Sequence, residues 1–231
     1  MHAQFTTFTL GCFFLLILGL QNHVPRTSLV TNNIEKRINS YLHTGETLLQ
    51  EGDIVLRMNR DPFSEFIRYF NKKEKSFSHA GLVMRDGGAL LIYHMASEEG
   101  NPKKLMLKQK LARFADPRHN SGYAIYRYPL TGPELKNMRH LLNHWYQLPV
   151  HFDNAFNLAT DDELYCSEMV QKALVAGTHN RIKINSTTLN NLEANAIKVY
   201  YKLPSRPGMQ IIAIDNLYVN DACVNIARFT Y

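Results

Sequence analysis

The chain has 231 residues, with 26 Lys+Arg against 20 Asp+Glu, a formal charge of +6 and 45% hydrophobic residues. That composition excludes a disordered chain, and the length suits one large domain or two small ones. Three cysteines without a CxxC pair exclude a disulfide framework and a structural zinc knuckle; no aromatic-plus-basic RNA motif accompanies the mild positive charge, so no nucleic-acid partner is expected.

Residues 1–22 carry no Asp, Glu, Lys or Arg, and Leu10–Leu20 is apolar apart from glycine. The run suits a secretory h-region better than a membrane span of about 20 residues. The expectation is a signal peptide or N-terminal membrane anchor over 1–22, with export to the periplasmic or extracellular side. One folded domain is then expected over 30–231.

Thr31–Leu49 has Ile34, Ile38, Leu42 and Leu48 at helical spacing, with Thr31 or Asn32 as cap. Gly52-Asp53 opens a short strand, Ile54–Leu56. Asp61-Pro62 starts a helix whose Phe63, Phe66, Ile67 and Phe70 share one face. Phe77–Met84 and Ala89–His94 read as two strands joined by a turn at Asp86-Gly87-Gly88. A short helix is expected at Lys108–Ala115, a strand at Tyr123–Tyr128 and an amphipathic helix at Pro133–Gln147. A further helix, Cys166–Ala176, is read as ending at Gly177 as C-cap glycine, and Met209–Ile214 is a late strand. Strands in the middle with helices at both ends predict an α+β fold, an antiparallel sheet packed against helices.

Three stretches carry chemistry. In Ser76-Phe77-Ser78-His79-Ala80-Gly81 a histidine enters a strand among small residues that leave room beside the imidazole. In Leu90-Leu91-Ile92-Tyr93-His94-Met95, His94 lies across the turn, and antiparallel pairing brings the two histidines together. In Tyr165-Cys166-Ser167-Glu168-Met169-Val170, Cys166 opens a helix. The N–H groups of a helix N-terminus favour thiolate, and a neighbouring histidine acts as base. Each residue taken alone also fits a buried structural role. Cys223, in apolar surroundings, is read as inert, and Cys12 goes with the N-terminal segment.

Four motifs in order carry a resemblance: Gly52-Asp53-Ile54-Val55, Phe77-Ser78-His79-Ala80-Gly81, Leu148-Pro149-Val150-His151-Phe152-Asp153 and Tyr165-Cys166-Ser167-Glu168-Met169-Val170. The chain resembles the circularly permuted papain-like amidases, the NlpC-like cysteine hydrolases of the YiiX/YaeF group, over about residues 50–215. Histidine before cysteine is the permuted order. The resemblance implies Cys166 as nucleophile, His79 as general base and a polar third residue on the following strand. Relatives commonly place Glu there. This chain has His94, as in the lecithin retinol acyltransferase-like branch, with Glu98 or Glu99 as possible substitutes.

The oxyanion donors implied include the Cys166 backbone N–H, and Tyr165, Ser78 and Asp53 are candidate oxyanion or substrate-lining residues. No cofactor is expected. The expected function is a cysteine amidase or peptidase that works through a thioester on a small peptide, cell-wall-derived or acyl-amide substrate. Alternatives are a lipid-directed acyltransferase or acyl hydrolase touching a membrane through the N-terminus, a non-catalytic binding module, and a zinc site of two His and one Cys. Lys72, Lys73 and Lys75 could border the site or form a solvated surface. The Phe63–Phe70 aromatics could be core or an acyl-chain pocket.

Overall fold

The computed structural model describes residues 26–97, 101, 103, 105–204 and 206–231. The expected signal or anchor over 1–22, and Glu98 and Glu99, lie outside the described residues. Among those described, no helix is long and apolar enough to cross a membrane.

A six-stranded antiparallel sheet organises the chain. Its strands are β1 (Ile54–Asn59), β2 (His79–Asp86), β3 (Ala89–Met95), β4 (Met106–Gln109), β5 (Asn120–Arg127) and β8 (Val224–Thr230), in the order β4-β3-β2-β1-β5-β8. Alternation along the strands makes two cores. Ile54, Leu56, Leu82, Met84, Tyr93 and Met95 face α4 (Gly132–Gln147) and α5 (Cys166–Gly177), packing with Met138, Leu142, Met169 and Val170. Val55, Val83, Ile92, Tyr123 and Ile125 face the other way, with Leu111 and Phe114 of the short α3 (Leu111–Phe114) and Leu42 of α1 (Arg26–Leu48). This is the expected α+β arrangement.

Local chemistry explains most boundaries. Asp61 caps α2 (Pro62–Tyr69): its carboxylate accepts from the Ser64 N–H at 2.9 Å, and Pro62 occupies the first turn. Thr131 and Glu134 form a reciprocal capping box on α4. The β2–β3 turn is two residues long, Gly87 and Gly88 at φ 55° and 88°, a backbone that glycine adopts without strain. Gly52 sits at φ 90° before β1, where its N–H donates to the Val83 carbonyl at 2.8 Å.

Several elements differ from the sequence reading. The expected helix at Lys108–Ala115 is a strand and then a single helical turn: Met106–Gln109 pairs with β3, because an edge strand gains more from a partner than four residues gain from helix. The expected strand at Met209–Ile214 shrinks to β7 (Gln210–Ile211), paired with β6 (Thr187–Thr188), before a 3₁₀ turn at Ile214–Leu217. Gly177 is not the C-cap; Thr178 is. Gly177 lies inside α5 because a Cβ there would fall 2.2 Å from Met138 Cγ. The first helix begins before Thr31, and Ile34 is exposed, so only its end docks on the sheet. The sequence reading missed α6 (Asn191–Tyr201), whose Asn190–Glu193 capping box is visible in the sequence, and β8, which closes the sheet edge beside β5.

Candidate active site

The register of three strands builds the site. Arg57 pairs with His79 across β1 and β2. Leu82 stands opposite Tyr93, which puts His94 level with Gly81 and diagonal to His79 on the same sheet face. His79 Nε2 and His94 Nδ1 lie 2.9 Å apart, with the rings edge to face. Phe114 packs against both imidazoles, and the Arg57 guanidinium lies over its ring, 4.7 Å from the centroid, with Nη1 donating to the Phe114 carbonyl. Gly81 makes this possible: a Cβ there would meet Ile92 at 2.4 Å and Phe114 at 3.2 Å. The small residues beside His79 therefore make room for the ring that clamps the pair.

Cys166 is the first residue of α5, and the Ala80 N–H, next to His79, acts to lower its thiol pKa. Cys166 and His79 line one cavity of about 610 Å³. His79 uses Nε2 for His94, so Nδ1 is the nitrogen left for a thiol. Tyr165 lines the cavity as well, its hydroxyl accepting from the Ile212 N–H at 2.6 Å. Ser78 lines it while its hydroxyl accepts from the Asn59 N–H at 3.2 Å. Asp53 stands apart from these residues. It is fully buried behind β1 and bonded to Arg127 at 2.6 and 2.8 Å, a clasp between strands and not part of the cavity lining.

Burial opposes one expectation. Burial pushes the Cys166 thiol up, and the N–H groups of Ala80 and Ser167 with the Arg57 charge pull back only partly. Burial pushes His79 and His94 well below the usual histidine range, and Arg57 adds to the effect. Burial thus favours the neutral forms of both side chains and works against the thiolate that the helix N-terminus favours. Such a pair supports general-base attack, with the proton leaving sulfur as the new bond forms. Cys223 is pushed up to about 12 by burial and lies away from this cavity, consistent with its inert reading.

The same shifts give a stability prediction. His94 is 0% exposed and neutral when folded, whereas in the unfolded chain it takes a proton below about pH 6.5. The unfolded state then binds more protons, so acid costs the fold up to about 1.4 kcal/mol per pH unit from this residue. Glu168, buried at the third position of α5 and raised to about 7 by desolvation, acts in the opposite sense over the same range. Denaturant titrations at pH 7.5, 6.5 and 5.5 are expected to show less acid sensitivity in His94→Leu than in the wild type. Equal slopes in the two proteins contradict the buried neutral imidazole.

The cavity lining is mixed. Phe63, Ile67, Phe70, Phe152, Phe156 and Ile212 supply its apolar surface, so part of the α2 aromatic face is pocket and not only core. Arg57, Arg60, Arg113 and Arg118 also line it, with Asp61 and Asp116 offsetting part of their charge and Arg113 and Arg118 paired to Asp116. The sequence reading missed these arginines, which come from three separate segments with no common motif. The lysines it named are elsewhere: Lys72 pairs with Glu193 and Lys75 donates to the Tyr69 carbonyl.

A solved structure described as metalloprotein yiiX from Escherichia coli O157:H7 aligns with a TM-score of 0.63 over 79% of this chain and 98% of its own, at 16% identity, a likeness of fold. No curated protein matches the chain. Among the described residues of this chain, no three His, Cys, Asp or Glu side chains gather as metal ligands would. The family model of the permuted papain-like amidases, the YaeF/YiiX enzymes of family C92, matches residues 48–208. That span is well over half of the chain and holds both histidines and Cys166, and the chain belongs to this family.

Proposed function

We propose that the protein is a cysteine amidase in which Cys166 is the nucleophile, His79 the general base and His94 the residue that orients it. The observation that carries this reading is the 2.9 Å His79–His94 contact beside a cavity that His79 shares with Cys166. As the sulfur attacks an amide carbonyl, the thiol proton passes to His79. The backbone N–H of Cys166, in the first turn of α5, is the donor proposed for the developing oxyanion. Collapse breaks the C–N bond, His79 returns the proton to the departing amine, and a thioester remains on Cys166. His79 then takes a proton from water, which attacks the thioester and releases the acid and the free thiol.

Among small peptide, cell-wall-derived and acyl-amide substrates, the mixed apolar and arginine-bearing lining favours an acyl amide with an apolar acyl part and an acidic group. The test is to trap the intermediate. Intact mass spectrometry of enzyme quenched in acid during turnover of an N-acyl amino acid is expected to show one added acyl group, mapped to Cys166 and removed by hydroxylamine. Turnover without any acyl adduct, in enzyme quenched before the substrate is exhausted, counts against a thioester as the slowly resolved intermediate. Turnover that persists without Cys166 overturns the reading as a whole.

A further inference from the structure

Beyond His94, the strand register brings a fourth residue into line. Gln109 of β4 stands opposite Ile92, on the face that carries His94 and His79, and therefore diagonal to His94 on the side away from His79. Two polar atoms at this place are buried without a hydrogen-bond partner: His94 Nε2 and Gln109 Oε1. They are complementary, since an imidazole N–H donates and an amide oxygen accepts only. The nearby Gln109 side chain also favours the protonated form of His94, against burial and the Arg57 charge. The groups facing His94 are His79 on β2 and Arg57 on β1, with Phe114 presented by α3; none of them offers an acceptor to Nε2.

The geometry points to Gln109 as a positioning residue that fixes the tautomer of both histidines. With Gln109 Oε1 accepting from His94 Nε2–H, His94 Nδ1 is the unprotonated nitrogen. It then accepts from His79 Nε2–H across the 2.9 Å contact. His79 Nδ1 is left without a proton, the state a base needs to receive one from a thiol. A histidine in the third position carries no fixed charge to choose the tautomer of its neighbour, as a carboxylate would. The glutamine supplies that choice by acceptor geometry alone. This inference uses the proposed roles of Cys166 and His79 for its kinetic consequence, but the tautomer itself does not depend on them.

The experiment is long-range ¹H–¹⁵N correlation of the imidazole rings at pH 8 in the full chain, with His94 assigned by its loss in His94→Leu. The wild type is expected to show His94 protonated at Nε2 and His79 protonated at Nε2. Gln109→Leu is expected to give a mixture of tautomers and a fall in kcat of about 10- to 100-fold with little change in KM. Gln109→Glu keeps the acceptor and adds a charge, so the single tautomer returns and the acid limb of the kcat/KM profile moves to higher pH. His94 protonated at Nδ1 in the wild type overturns the proposal. So does Gln109→Leu that leaves the ring spectra and the pH profile unchanged. Activity that survives Cys166→Ala sinks the amidase reading instead and leaves the tautomer result standing.

Discussion

Replacing Cys166 by alanine is expected to abolish amide turnover, a loss of at least about 10³-fold, with the fold retained. The side chain is 8% exposed at the start of α5, and losing one sulfur atom from it costs stability on the order of 1 kcal/mol, well within what a domain tolerates. Thermal melts matching the wild type therefore separate lost chemistry from lost structure. Cys166→Ser tests the general-base step more sharply. A hydroxyl fills the place of the thiol, but it is far less acidic, and a histidine pushed well below its usual range is a weak base for it. Both variants are expected to be inactive, whereas Cys223→Ser is expected to match the wild type. Because burial raises the Cys166 thiol, simple alkylation at pH 7 is expected to be slow and to rise only under alkaline conditions. A cavity-fitting acyl electrophile is expected to label faster, since His79 takes the proton during attack. Full turnover by Cys166→Ala ends the assignment.

Much of this site is readable in the sequence because it depends on short-range order. His79 and His94 are joined by a two-residue turn, so hairpin geometry alone brings them together, and Asp86-Gly87-Gly88 is a strong local signal. Cys166 announces itself by opening an amphipathic helix. The parts that were not legible are assembled from distant segments. Arg57 reaches Phe114 across 57 positions, and the arginines of the cavity lining come from β1 and the residue after it, α3 and the loop after α3. No periodicity records such meetings. The misread strand at Met106–Gln109 hid Gln109 as well: on a helix it would not align with His94, and only pairing with β3 sets that diagonal. The desolvation of Cys166 is illegible for a related reason. A helix N-terminus is local and visible, whereas desolvation is a property of the whole assembled core.

Gly52-Asp53 illustrates how a motif can belong to a family pattern and yet act structurally, and it leads to the largest expected loss of stability. Asp53 is 0% exposed; its carboxylate takes both Arg127 donors, at 2.6 and 2.8 Å, and the Gln50 N–H at 2.7 Å. These bonds tie the entry of β1 to β5 and to the end of α1, whose Leu48 carbonyl also accepts from Arg127. Burial pushes the Asp53 carboxyl up while Arg127 pulls it down, the balance of a desolvated ion pair. Removing one partner leaves the other charge facing a cavity, so Asp53→Ala is expected to cost about 3–5 kcal/mol by urea denaturation. The double variant Asp53→Leu with Arg127→Leu is expected to recover most of that, because it removes the stranded charge along with the bond. The kinetic readout separates this role from a catalytic one. At a temperature where Asp53→Asn is fully folded, its kcat is expected to lie within about 2-fold of wild type, since the cavity lining is unchanged. A fall in kcat approaching that of Cys166→Ala, in protein shown to be folded, would move Asp53 from the sheet into the chemistry. The sheet role holds if stability drops and kcat does not.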